Sequence, residues 1–222
     1  MFRRDYMMRM IQEMTELMAT ISGLKKQHKQ EQAFTAVDEL LGRFFRLNGK
    51  LLNALSEKDI LAMFSTGGFL EAEKVLILAR VLKEEGSLYE SLEEPEECYR
   101  RYVKGLSLAL EASRQENPPT ELAQEVVREL HEAIRSYELP IELQDGLLDH
   151  YIRSGEYAKA EDCLYELAEA GGPFAYAENR TEAGERFYGH LLERSEEELE
   201  RGGLPLGEVL EGQMAYRAKY GK

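Results

Sequence analysis

Proline constrains this chain more than any other residue. It stands only at positions 95, 118, 119, 140, 173 and 205 of 222. Its ring removes a backbone donor and clashes with the preceding turn, so the long stretches between these positions are the ones free to be helical. Within them apolar residues recur every three or four places, the period of one face of an α-helix. Met7, Met10, Ile11, Met14, Leu17, Met18, Ile21 and Leu24 make the first stripe. Phe34, Val37, Leu40, Leu41, Phe44 and Phe45 make the second, which is expected to end near Asn48-Gly49. Ser56 with Asp59 three residues on has the form of a capping box ahead of Ile60, Leu61, Met63 and Phe64, and Thr66-Gly67-Gly68 stops that helix.

The spacing predicts a helix over about 70–92, through Val75, Leu76, Leu78, Ala79, Leu82, Leu88 and Tyr89. Pro95 then opens another, running to about Ser113, at the first turn where proline is tolerated. Asn117-Pro118-Pro119-Thr120 restarts the chain into Leu122, Val126, Val127, Leu130 and Ile134. Pro140 precedes Ile141, Leu143, Leu147, Leu148 and Tyr151. Gly155 turns the chain into Ala160, Cys163, Leu164 and Leu167, and Gly171-Gly172-Pro173 closes that helix. Asn179 with Glu182 is expected to cap a long helix, and a short one over 206–216 finishes the chain. No segment alternates with period two for long enough to be a strand, so the expected fold is all-α.

Paired helices of this kind bury their apolar faces by stacking, and repetition near 34 residues is the mark of such arrays. Gly86, Tyr89, Cys98, Tyr102 and Gly105 follow the tetratricopeptide pattern of small and aromatic positions, and so do Tyr151, Gly155, Tyr157, Ala160, Leu164 and Leu167. Leu24, Ala33, Val37 and Leu40, around His28-Lys29-Gln30, follow it without the turn glycine. These segments resemble tetratricopeptide repeats, which implies antiparallel hairpins stacked as a short, irregular α-solenoid. The opening MFRRDYMMRMI and the stretch YELPIELQDGLLDHY are similar to an uncharacterised bacterial family of unknown function with such content. The expected organisation is one all-helical domain over 1–222, with amino-terminal helices in 1–66, hairpins in 70–170 and capping helices in 179–222.

Chemistry-bearing motifs are sparse. His131-Glu132 opens like a zinc-protease helix, but position 135 is Arg where the second histidine ligand belongs. Asp145 and Asp149-His150 lie one turn apart, a spacing that could hold a cation, but with no thiolate or second histidine nearby they read as solvated acids on the outer face of a hairpin. Glu142, Asp145 and Asp149 are the acids a hydrolase reading would have to use. His28 and His190 show no evident partners in the sequence. Cys98 and Cys163 fall where a compact apolar residue is wanted. Asn179-Arg180-Thr181 matches a glycosylation acceptor but serves as a cap and first turn. There is no CxxC, GxSxG, GxxxxGK[ST] or GxGxxG, so no catalytic, cofactor or metal site is assigned.

The first helix repeats Met7, Met14, Ile21 and Met10, Leu17, Leu24 at seven-residue intervals, a seam that packs either within the chain or against a second copy as a homodimer. The 28 Lys+Arg against 42 Asp+Glu give a net charge of −14, which argues against nucleic acid and anionic membrane as partners. Residues 1–50 carry +3 of this and the remainder −17, so the favoured partner is neutral or basic. Charges interrupt the opening apolar run where a signal peptide would need it unbroken, which points to the cytoplasm. The expected function is a non-catalytic scaffold binding a protein or peptide, at residues the sequence does not identify. A peptide-sensing bacterial regulator is the alternative reading and a hydrolase the third.

Overall fold

The computed structural model describes residues 2–115, 118, 120–170 and 177–221, with side chains from Arg9 in the first helix and from Asn179 in the tenth. The described residues form twelve helices and one two-stranded hairpin, and the chain divides into two compact units, Met1–Glu138 and Leu139–Lys222.

The first unit holds α1 (Phe2–Lys26), α2 (Gln30–Phe45), α3 (Gly49–Ala54), α4 (Glu57–Met63), β1 (Ser65–Thr66), β2 (Phe69–Leu70), α5 (Ala72–Glu90), α6 (Pro95–Ser113) and α7 (Thr120–Ile134). The methionine stripe of α1 is core here: Met10, Met14 and Ile21 are buried, and α1 packs on α2 and α5. Met7's side chain lies outside the described residues. Helix α2 ends before the expected Asn48-Gly49. Arg46 turns into the left-handed region at φ 56°, and its N–H and that of Leu47, the latter at 3.2 Å, both reach back to the Leu41 carbonyl, closing the helix end. Asn48 instead caps a new helix, its side chain accepting from the Leu51 N–H at 2.9 Å.

The capping box at Ser56 and Asp59 is present on α4. The segment after it is a hairpin rather than a plain stop: Ser65 pairs with Leu70 and Thr66 with Phe69, across Gly67 and Gly68 at positive φ, the combination a tight two-residue turn requires. The core of the unit is the pair α5 and α6, with α7 laid against both. Pro95 sits in the first turn of α6, as its spacing predicts. Gly86 is the point of closest approach: a Cβ there would stand 2.6 Å from Cε1 of the buried Tyr102 ring, so only a hydrogen fits. Leu76, Leu78, Leu82, Leu88, Leu106 and Leu108 of these two helices are buried, each worth about 1.5–3 kcal/mol before entropy is counted.

The second unit holds α8 (Ile141–Ser154), α9 (Tyr157–Glu169), α10 (Ala177–Leu192), α11 (Glu196–Arg201) and α12 (Leu206–Tyr220). Gly155, at φ 75°, ends α8 and lets α9 fold back on it. Helix α10 begins at Ala177, so Asn179 lies inside it rather than at its cap. The Ser195–Glu198 capping box starts α11, a helix the apolar spacing had not marked because only Leu199 in it is buried. Helix α12 closes on α10. The breaks expected at Asn117-Pro118-Pro119 and Gly171-Gly172-Pro173 lie largely outside the described residues.

Candidate functional site

The first unit buries charge. Glu85 on α5 and Arg101 on α6 are only 3% and 4% exposed, each on the apolar stripe of its helix. Arg101 Nε stands 3.3 Å from Glu85 Oε1, and Nη1 is 2.8 Å from Glu97 Oε2. Its Nη2 is 3.3 Å from the Tyr89 hydroxyl, and the guanidinium lies 4.8 Å from that ring's centre. Glu85 Oε2 has no hydrogen-bond partner. Burial therefore pushes the Glu85 carboxyl above its ordinary pKa even though Arg101 pulls the other way.

The same cluster fixes α3 at both ends. Asp38 on α2 accepts from the Gly49 N–H at 2.7 Å. Lys104 on α6 donates to the carbonyls of Leu52, Asn53 and Leu55 at 3.1, 3.2 and 2.8 Å. A carboxylate at the amino end and an ammonium at the carboxyl end match the helix dipole. Burial holds the Lys104 pKa below its usual value. Each of these charges faces an opposite charge or a backbone group of the fold.

The second unit presents a different surface, rich in tyrosine. Tyr188 on α10 donates to Glu161 on α9 at 2.6 Å, and burial raises the pKa of both groups. Tyr216 on α12 fits over Gly184 of α10, where a Cβ would clash with its ring, and donates to the Arg180 carbonyl at 3.1 Å. Its pKa is pushed up to about 12, first by burial. Tyr165 of α9 meets Tyr216 edge-on at 5.2 Å, and Tyr220 lies 4.8 Å from Tyr216. Lys219 stands over Tyr165 and Tyr220, bound to Glu169 at 2.7 Å. Between α10 and α12 a shallow cleft, lined in part by Thr181, Glu185, Gln213 and Arg217, has about 10 Å³ of water-sized space, room for a solvent molecule and not for a metabolite. On the outer side of α12, Leu210 and Met214 are 44% and 63% exposed.

Glu142 and Asp145 lie exposed on α8, and Asp149 pairs with Arg153 at 3.2 Å, so the three acids are solvated rather than gathered in a desolvated site. His131 is half-buried on α7, and the Arg135 that follows it pairs with Glu132. His150 is buried, which lowers its pKa to about 4. His28 is exposed at the α1–α2 turn with φ 56°. His190 Nε2 lies 3.1 Å from Arg194 Nη2. Cys98 and Cys163 are both buried free thiols, and burial with the acids Glu166 and Asp162 pushes Cys163 up to about 12, far from a nucleophile's range. No helix among the described residues is long and apolar enough to cross a membrane.

These features define an all-helical protein of packed neighbouring helices in two compact units. The family of unknown function DUF6483 matches the chain over residues 1–221, and the chain belongs to that family. No curated protein and no solved structure matches it.

Proposed function

We propose that this protein is a non-catalytic scaffold, its α5–α6 and α8–α9 hairpins acting as tetratricopeptide-like repeats and its second unit binding a basic protein or peptide segment. The observation that carries the reading is the outer surface of α12. Leu210 and Met214 stand exposed one turn apart on α12, on the side away from the buried Val209 and Tyr216. Tyrosine, methionine and arginine are the residues that interface cores favour, and neighbouring exposed apolar side chains on a soluble unit point to a partner. The unit carries 18 Asp/Glu against 9 Lys/Arg, a net −9 over residues 139–222, which favours basic partners and raises their association rate.

The repeat reading is supported by packing. Tyr102 fills the groove opposite Gly86, Gly105 lies against Ala79, Leu82 and Leu130, and Tyr157 and Ala160 are buried in the second hairpin. The two buried free cysteines suit a reducing, cytoplasmic setting.

In-cell photo-crosslinking tests the scaffold reading. A photoreactive phenylalanine at Met214 is expected to give a discrete protein adduct. The same probe at Glu96, whose side chain is 89% exposed on the first unit, is expected to give none. Equal adducts from both positions, or none from Met214, would overturn the proposal.

A further inference from the structure

Lys219 lies in the last turn of α12, and its ammonium is surrounded on three sides. The Tyr165 ring centre is 5.7 Å away, the Tyr220 ring centre 5.0 Å away, and Glu169 Oε1 2.7 Å away. The two rings stand 6.2 Å apart and inclined by 56°, open enough to hold a cation against both faces. Among the described residues, Lys219 is the cation that sits over two aromatic rings.

The walls are held from behind rather than by the lysine. Tyr216 packs against both Tyr165 and Tyr220. Thr181 Oγ1 donates to the Tyr220 carbonyl at 3.0 Å, and the Tyr220 hydroxyl reaches Glu169 Oε1 at 3.4 Å. The lysine side chain is 52% exposed, and its Glu169 partner 63%, so the ammonium can leave without disturbing a buried contact. Hydrogen bonding to Lys219 lowers the Glu169 pKa, and an exposed glutamate is charged at neutral pH in any case. Rings plus a carboxylate are the chemistry that binds alkylammonium groups, by cation–π attraction and direct charge pairing.

We propose that Tyr165, Tyr220 and Glu169 form an ammonium-binding cage that the chain's own Lys219 fills in the free protein, and that a lysine side chain of a basic partner segment displaces it. The identity of the occupant as part of a partner rests on the scaffold reading. The cage does not. Displacement exchanges one exposed lysine for another, so the cost of entry is mainly release of the tethered ammonium, and the net charge of the unit favours the incoming cation.

The test is a titration of the full-length, tyrosine-labelled chain with N-acetyl-lysine methylamide, followed by ring-proton shifts at constant ionic strength. Lys219→Ala is expected to bind the probe about tenfold more tightly than the wild type, the scale of two ring contacts and a carboxylate. Arg217→Ala removes the same charge from the same helix without vacating the rings, and is expected to leave the affinity near the wild-type value. In the Lys219→Ala background, Glu169→Gln and Tyr165→Leu are each expected to abolish the gain. Glu169 is exposed, so its variant keeps the result readable if Tyr165→Leu fails to fold.

Equal tightening by Arg217→Ala, or a gain that survives loss of Glu169, would overturn the cage. A cage that binds the lysine probe while Met214 captures no protein would sink the scaffold reading alone. The reverse pair of results would sink the cage alone.

Discussion

Removing Arg101 from the buried pair should be among the most damaging single changes in the first unit. Glu85 and Arg101 are 3% and 4% exposed, and Glu85 Oε2 already lacks a hydrogen bond. In Arg101→Met the Glu85 carboxylate keeps its desolvation and loses its closest cation. Breaking a buried pair in this way costs about 3–5 kcal/mol. At about 3 °C per kcal/mol for a unit of this size, the transition of the first unit should fall by roughly 10–15 °C at neutral pH. Lys104 offsets part of the loss, since Glu85 also lies in its field. The double variant Glu85→Leu with Arg101→Met replaces charge by packing and should recover to within about 2 kcal/mol of the wild type. The assay is thermal unfolding of the four members of the cycle, followed by circular dichroism. A loss below about 1 kcal/mol for Arg101→Met, or a double variant no better than the single, would refute the reasoning.

Three further outcomes are expected. His150, with its pKa lowered to about 4 against an unfolded value near 6.5, contributes stability that is whole above pH 6.5 and declines toward pH 4, by at most about 3 kcal/mol; an NMR titration midpoint above 6 would contradict this. Glu85, whose folded pKa is raised by burial, acts with the opposite sign, its contribution being lost as pH rises through that folded pKa, so Glu85→Gln should remove that component from the pH profile of unfolding. Gly86→Ala should destabilise the first unit by about 1–3 kcal/mol, because the added methyl meets the buried Tyr102 ring at 2.6 Å; a neutral result would show that the two helices are not in contact there.

Local signals in the sequence carried most of the helix plan, and for physical reasons. The Pro95 start of α6 and the Ser56–Asp59 box of α4 depend on residues within one turn of each other, so they are readable without knowing the fold. Buried Met10, Met14 and Ile21 follow from period alone. The misplaced end of α2 has a different origin. Arg46 carries the left-handed stop that is usually glycine's, and Asn48-Gly49, read as that stop, begins α3 instead. The β1–β2 hairpin is two residues per strand, too short to show a period. The Ser195–Glu198 box is local to the sequence, but apolar spacing does not reveal it, because Leu199 is the buried residue of α11.

Of the polar features, Glu85 and Arg101 left one trace: each is a charge set among the apolar positions of its helix, Glu85 beside Leu82 and Leu88 and Arg101 between Cys98 and Tyr102. A charge there is either a break in the stripe or half of a buried pair, and only the partner helix distinguishes the two. The tyrosine–lysine cluster was beyond sequence reading. Lys219 and Glu169 are 50 residues apart, and nothing local brings them together.

Hydrogen exchange measured on the chain with the protein captured at Met214 tests the binding surface most directly. Slowed exchange is expected in α9 and α12, residues 157–169 and 206–220, with α5 and α6 unchanged. Protection in α5 and α6 with none in α12 would contradict the assignment of the partner to the exposed Leu210–Met214 side of α12.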